Sequence, residues 1–191
     1  MVVKDELVLY ESIYKAEVER REKLLSRMSL PIALITAILG GWAYMVKSFS
    51  LNERTIWGGL FLLFIILTFA AVSVMFYFLT RSLYGFVDKL MPDAQELKNY
   101  HDILCATYDS YADKDDLVDK YFDEFMRDSY VTYSTINSKN NDLRLDYIYK
   151  SLVLITIIIF LSFFGFICFS ICQLSSTNDN VNFLKFLSQL F

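Results

Sequence analysis

The chain has 191 residues, of which 55% are hydrophobic and 17% aromatic, and its formal net charge at pH 7 is −4. Because nucleic-acid affinity rests mainly on basic residues that neutralise phosphates, this charge excludes a broad nucleic-acid-binding surface. Three cysteines and one histidine, none at metal-ligand spacing, also argue against a zinc site and a disulfide framework.

Residues 1–28 predict an amphipathic helix on the cytoplasmic side. Its apolar residues recur at helical spacing, and Glu17 and Glu19 each precede a basic residue by four positions. Six acidic residues match six basic ones, which favours packing on the middle of the chain over binding to anionic lipid. Ser29 and Pro31 mark the end of this helix, since proline is tolerated only in the first turn of the next one.

Three long apolar runs predict membrane spans and an all-α integral membrane protein. Residues 29–80 form a two-span hairpin containing the runs Leu30–Val46 and Ile56–Leu79, and residues 151–173 form a third span. A helix needs about 20 apolar residues to cross a bilayer. None of the runs contains Asp, Glu, Lys, Arg or His. The alternative, buried core helices of a soluble protein, is disfavoured because such helices rarely have apolar runs this long.

Small residues recur every four positions in the first span, at Ala33, Ala37 and Gly41. Such a stripe lets two helix backbones approach closely inside a bilayer. The stripe therefore predicts helix packing, both against the second span and between copies in a homo-oligomer.

Residues 81–150 predict a cytoplasmic helical domain. We expect the second span to continue as a helix to Met91, and Pro92 to precede a new helix that Asp93 favours at its start. A single helix is expected from about residue 115 to residue 172, with a break near Asn140 as the alternative. Residues 174–191 are expected to form an interfacial tail outside the membrane, with a short helix over residues 182–191.

The distribution of basic residues predicts the orientation. Six Lys and Arg residues precede the first span, two lie between spans one and two, nine lie between spans two and three, and one follows the third span. Basic residues accumulate in cytoplasmic segments. The N-terminus is therefore expected in the cytoplasm and the C-terminus outside.

One polar group suggests ligand or partner contact; its members are Arg81, Asn137, Asn141, Arg144 and Lys150. On a continuous helix, Asn137, Asn141 and Arg144 share one face. Arginine flanked by amides suits phosphate or carboxylate. The alternative is contact with lipid headgroups together with a hydrogen-bond network between helices. No catalytic group, cofactor motif or metal site is predicted, so an enzyme is not expected.

The charged helix ending in Glu-Arg-Arg-Glu-Lys-Leu-Leu-Ser-Arg (residues 19–27), the two-span hairpin and the long cytoplasmic helical segment together resemble the SLATT-type membrane effectors of bacterial nucleotide-signalling anti-phage defence. The resemblance covers about residues 8–130, whereas the third span and the tail depart from the two-span pattern. It implies a pore-forming or membrane-perturbing effector in the bacterial inner membrane, triggered by a cytosolic signal, and it supplies no catalytic residues.

Two functions are compatible with these features. Three helices cannot enclose a water-filled lumen, so an ion channel that depolarises the membrane requires a homo-oligomer. Alternatively, the chain is a non-conducting anchor or scaffold whose tyrosine-rich cytoplasmic helices recruit a soluble partner protein. A small anionic ligand such as a nucleotide is the expected trigger of the channel.

Overall fold

All the secondary structure in the described part of the chain is α-helical. The computed structural model describes residues 2–49 and 56–190, with side chains described for 6–49 and 56–174. The helices are α1 (Val2–Ser26), α2 (Ser29–Ser48), α3 (Ile56–Tyr84), α4 (Ala94–Thr107) and α5 (Lys114–Leu190).

Three helical stretches are long and apolar enough to cross a membrane, namely Glu6–Ser48, Ile56–Tyr84 and Lys114–Leu174. In the first stretch the apolar part is α2, because α1 carries charges along its whole length. The expected all-α chain with three apolar helices of spanning length is therefore confirmed.

The chain forms two compact units, and α5 contributes to both. The polar unit contains the chain up to Ser26 together with Ser82–Asp146. The apolar unit contains Arg27–Arg81 and the chain from Tyr147 onward. The N-terminal helix thus belongs to the same unit as the middle of the chain.

An aromatic cluster forms the core of the apolar unit. Trp42 of α2 stacks on Phe61 of α3 at 5.6 Å between ring centroids, and Phe61 lies 5.5 Å from Phe169 of α5. The Trp42 indole Nε1 donates a hydrogen bond of 2.9 Å to Ser162 Oγ, so its buried polar atom is satisfied. Aromatic rings from three helices therefore fill the space between them.

The outward faces of the apolar unit remain rich in large hydrophobic side chains. Ile66 of α3 is 65% exposed and Phe160 of α5 is 60% exposed. Soluble monomers rarely expose contiguous apolar surfaces of this kind. These faces are therefore suited to lipid or to other apolar helices.

The two cysteines of the third apolar run are buried in the apolar unit. Cys168 is part of the aromatic core, and Cys172 lies one turn further along α5. Both thiols therefore serve as small packing residues.

Helix α3 ends earlier than expected. It stops at Tyr84, and Phe86–Asp93 are extended, so the predicted continuation to Met91 is wrong. Pro92 disfavours helical geometry at Met91, and the extended backbone finds its hydrogen-bond partners on α5. As expected, a new helix starts after Pro92, and the Asp93 side chain accepts a 2.8 Å hydrogen bond from the Glu96 amide as its N-cap.

Helix α5 runs unbroken for 77 residues, about 115 Å at 1.5 Å per residue. The expectation of a continuous helix is confirmed, and no break occurs near Asn140. The separate tail helix is wrong, because α5 continues through residue 174 to Leu190. The helix contains neither glycine nor proline before Gly165, so nothing in that stretch forces an interruption.

Candidate functional site

Side chains of α5 hold the extended segment 86–93, here called the strap. The Lys89 amide donates to Asn137 Oδ1 at 2.9 Å, and Asn137 Nδ2 donates back to the Lys89 carbonyl at 2.9 Å. One turn along, Asn140 Nδ2 donates to the Val87 carbonyl at 2.9 Å. An extended segment cannot satisfy its own backbone groups, so these side chains replace a neighbouring strand.

Arg144 forms a two-pronged ion pair with Asp88 at the middle of the strap. Its Nη1 lies 2.8 Å from Asp88 Oδ1 and its Nη2 lies 2.7 Å from Oδ2. Nη1 also donates to Asn141 Oδ1 at 3.1 Å, and Nη2 donates to the Phe86 carbonyl at 3.2 Å. Arg144 is only 1% exposed. Parallel hydrogen bonds between arginine and carboxylate are among the strongest in proteins and hold the strap in one register.

A second cation from α1 also reaches Asp88. Arg21 Nε lies 2.9 Å from Asp88 Oδ2, although its N–H does not point along a hydrogen-bond direction. The Asn141 amide, in turn, donates to both the backbone and the side-chain oxygen of Glu17, at 2.9 and 3.0 Å. The cluster Glu17, Arg21, Asp88, Asn141 and Arg144, here called the clamp, therefore joins α1, the strap and α5.

Further contacts attach α1 to the polar unit around the clamp. The ring centroids of Tyr14 and of Tyr130 on α5 lie 5.6 Å apart. The Tyr14 hydroxyl accepts a 3.1 Å hydrogen bond from the Met91 amide. Burial raises the pKa of Tyr130. At the surface, Arg20 pairs with Asp142 at 2.6 Å, and this hydrogen bond raises the pKa of Arg20. The N-terminal helix packs on the middle of the chain, as the sequence favoured.

The structure brings together three of the five predicted contact residues. Asn137, Asn141 and Arg144 are all buried and all bonded within the polar unit. Arg81 and Lys150 belong to the apolar unit and are exposed, with Lys150 Nζ lying 5.4 Å from the Tyr147 ring centroid. The hydrogen-bond network named as the alternative is therefore present, and binding of an external anion stays a prediction.

Sequence reasoning missed Asp88, Glu17 and Arg21. Asp88 is the only acidic residue between Ser82 and Pro92, but nothing in the sequence pairs this segment with Arg144. Helical periodicity gave no such signal, because the strap is not helical.

The small-residue stripe of α2 is exposed within the chain. Ala33, Ala37 and Gly41 point away from the core, and a Cβ built on Gly41 has no atom within 4 Å. The face that packs within the chain is instead the one carrying Pro31, Ile35, Trp42 and Met45. The predicted contact of the stripe with the second span is therefore not formed in the described chain, whereas its use between copies stays a prediction.

Comparison with known proteins gives no relative for this chain. No protein-family model, curated protein or solved structure matches it. Among the residues with described positions, no group of three or more His, Cys, Asp or Glu side chains could hold a metal ion.

We expect Asn137→Ala to loosen the strap while lowering the free energy of unfolding only modestly. The substitution removes two hydrogen bonds, each with a net contribution of about 1 kcal/mol, and the freed Lys89 groups regain water. Amide hydrogen exchange of residues 86–91 should quicken at least tenfold in the full chain. Asn99→Ala on α4 is the matched control, because the exposed Asn99 Oδ1 accepts a hydrogen bond from Gln95 and not from the strap in the described chain; it should leave this exchange unchanged. Unchanged exchange in Asn137→Ala would contradict the role given to this side chain.

Proposed function

We propose that this chain is an oligomeric membrane effector that forms a pore or ion channel in the bacterial inner membrane. A cytosolic signal opens it, and the resulting depolarisation or permeabilisation acts in anti-phage defence. The proposal takes the membrane, the signal and the defence role from the SLATT-type resemblance. Two features of the apolar unit, its packed core and the exposed small-residue stripe of α2, support the assembly of several copies of the chain.

The filled core of the apolar unit is the observation that carries the proposal. Trp42 and Phe61 are 1% and 0% exposed, and Gly165 lies so close to Trp42 that a Cβ there would come within 2.3 Å of the indole. Among the described residues of the apolar unit, a core packed this closely leaves no water-filled passage. A conducting path would therefore run between several copies of the chain.

The exposed stripe on α2 supports assembly of such copies. Helix association inside a bilayer depends on close packing, which small side chains allow. Within the chain, the opposite face of α2 carries Ile35, Trp42 and Met45 and is already used. The small-residue face is therefore available to a second copy.

We expect Ala37→Leu to weaken the oligomer, because a larger side chain separates the two backbones. Mass photometry of the chain in neutral detergent should show a defined oligomer for the wild type and a shift toward monomer for Ala37→Leu. Val46→Leu, an exposed change outside the stripe, should assemble as the wild type does. A monomeric wild type would remove both the interface and the channel proposal.

Membrane potential measured in cells provides the functional test. Bacteria expressing the chain with its neighbouring genes are challenged with phage while a potential-sensitive dye is recorded. The proposal expects rapid depolarisation in the wild type and a weaker response in Ala37→Leu at equal protein level. If the wild type keeps its potential throughout infection, the channel proposal fails.

A non-conducting scaffold is the second candidate. The polar unit exposes large side chains, among them Ile103, Tyr111 and Val131, which are 61%, 56% and 38% exposed. Tyrosine and apolar groups at a surface are typical of protein interfaces. A scaffold would retain a soluble partner on purification from phage-challenged cells and would cause no depolarisation.

Orientation is a separate prediction. The basic residues place α1 and the polar unit in the cytoplasm and the end of α5 outside. Alkaline phosphatase fused after residue 191 should therefore be active, and a fluorescent protein that matures only in the cytoplasm should stay dark there. The reverse pair of readings would overturn the predicted crossing of α5.

A further inference from the structure

A cavity on the polar unit opens between α4 and α5, away from the clamp. Its volume is about 470 Å³, and it has the form of a groove that is largely open to solvent. Tyr100 of α4 forms one wall. The remaining lining comes from one face of α5, with Tyr121, Glu124, Phe125, Asp128, Ser129, Thr132 and Tyr133.

The cavity lies in the most acidic part of the chain. Residues 113–128 contain seven acidic and three basic residues, a difference of four charges that equals the net charge of the whole chain. The lining itself contains two carboxylates and no basic residue. The local field therefore attracts cations and repels anions.

The two lining carboxylates are only partly neutralised. Among the described residues, Arg127 is the single ion-pair partner of both, with Nη2 at 3.6 Å from Glu124 and Nε at 3.3 Å from Asp128. One guanidinium against two carboxylates leaves one negative charge. Both carboxylates are substantially exposed and retain lone pairs for a further donor.

Ser129 provides an independent indication of a ligand. Its side chain lines the cavity and is only 8% exposed, yet its hydroxyl has no hydrogen-bond partner among the described residues. By contrast, Ser134, one and a half turns further along α5, donates to the Val131 carbonyl at 3.1 Å. The Ser129 hydroxyl is therefore left open to the cavity, where its oxygen can accept a hydrogen bond from an N–H donor.

Aromatic rings complete the site. The ring centroids of Tyr100 and Phe125 lie 4.4 Å apart. Tyr121 and Tyr133 line the same cavity. Lys120 of this chain already makes a cation–π contact with one of these rings, because its Nζ lies 5.7 Å from the centroid of Tyr121. Aromatic walls attract organic cations through their π electrons.

We propose that this cavity binds an organic cation, an alkylammonium or guanidinium group held by Glu124, Asp128 and Ser129 between aromatic walls. The proposal goes beyond the proposed function, because it requires neither an oligomer nor a conducting membrane. Two sources carry this chemistry: a free polyamine, and a lysine or arginine side chain of a peptide.

The test is calorimetric titration of the full chain in a neutral maltoside detergent. The probes are spermidine, tetramethylammonium and a capped Gly-Arg-Gly peptide. We expect saturable binding of at least one cation, weakened at least tenfold in the double variant Glu124→Gln with Asp128→Asn. These amides keep the shape of the cavity and remove its charge, and an unchanged thermal midpoint would show that the variant is folded.

Two further variants make the result specific to the cavity. Asp115→Asn with Asp119→Asn removes the same charge from α5 outside the lining, and its affinity should change by less than twofold. Thr132→Trp keeps every charge but fills the cavity, and it should abolish binding. The proposal is overturned if no probe binds saturably, if both double variants weaken binding equally, or if Thr132→Trp binds like the wild type.

The relative affinities of the probes identify the source. Binding of spermidine at least tenfold tighter than binding of the capped peptide indicates a free polyamine. The opposite order indicates a basic side chain of a peptide.

Discussion

Replacing Arg144 with alanine is expected to lower the free energy of unfolding of the polar unit by about 3 kcal/mol, at the lower end of the usual cost of removing one partner of a buried ion pair. The substitution removes both contacts to Asp88 and the hydrogen bond to the Phe86 carbonyl. Asp88, whose side chain is 9% exposed, keeps Arg21 as a second cation, which is why the lower end applies. Hydrogen exchange of residues 86–91 in the full chain measures this loss.

A more exposed ion pair, between α1 and α5, provides the control. Arg20 and Asp142 are 35% and 66% exposed, so Arg20→Ala should cost less than about 1 kcal/mol despite the short 2.6 Å contact. A double-mutant cycle with Asp88→Ala and Arg144→Ala should give a favourable coupling energy of at least 1 kcal/mol, on the order found for contacting partners. A coupling near zero would show that the clamp does not stabilise the strap.

This result also determines how the function should be probed. Loss of signalling in Arg144→Ala would not distinguish ligand binding from a loosened polar unit, because the guanidinium already pairs with Asp88. Arg81→Ala and Lys150→Ala are cleaner tests of anion contact, since both side chains are exposed and lie outside the clamp.

Replacing Gly165 with leucine is expected to destabilise the apolar unit by about 3 kcal/mol, the upper end of the usual cost of overpacking a core. Even the first added carbon would lie 2.3 Å from one indole carbon of Trp42 and 2.9 Å from another. The indole cannot easily move, because it is 1% exposed, stacks on Phe61 and donates to Ser162. Helicity measured by circular dichroism during denaturant titration reports the change.

Gly59 of α3 is the matched control. A Cβ there has no neighbour within 4 Å, so Gly59→Leu should be neutral or gain up to about 1 kcal/mol from helix propensity. Trp42→Leu should partly rescue Gly165→Leu, because the smaller side chain vacates the space that the new one needs. If Gly165→Leu and Gly59→Leu have equal stability, the close packing of α2 on α5 is not as described.

The sequence by itself determined the features that depend on neighbouring residues. Uninterrupted apolar runs identified three helices of spanning length, because hydropathy and length are local properties. Pro92 and Asp93 identified the start of α4, and the absence of glycine and proline before Gly165 predicted one continuous α5. The side chains Asn137, Asn141 and Arg144 were correctly placed on one face of that helix, since helical spacing alone sets this.

Only the tertiary structure decided which groups those side chains contact. Asp88 lies 56 residues before Arg144, so no local pattern could pair them. The hydrogen bonds that α5 donates to and accepts from the strap after α3 ends at Tyr84 likewise come from a distant segment. In the same way, Trp42 packs against Gly165 and bonds Ser162, 120 residues away, which turns the small-residue stripe outward. The energy of these contacts comes from complementary shape and charge between distant segments, and neither periodicity nor propensity contains that information.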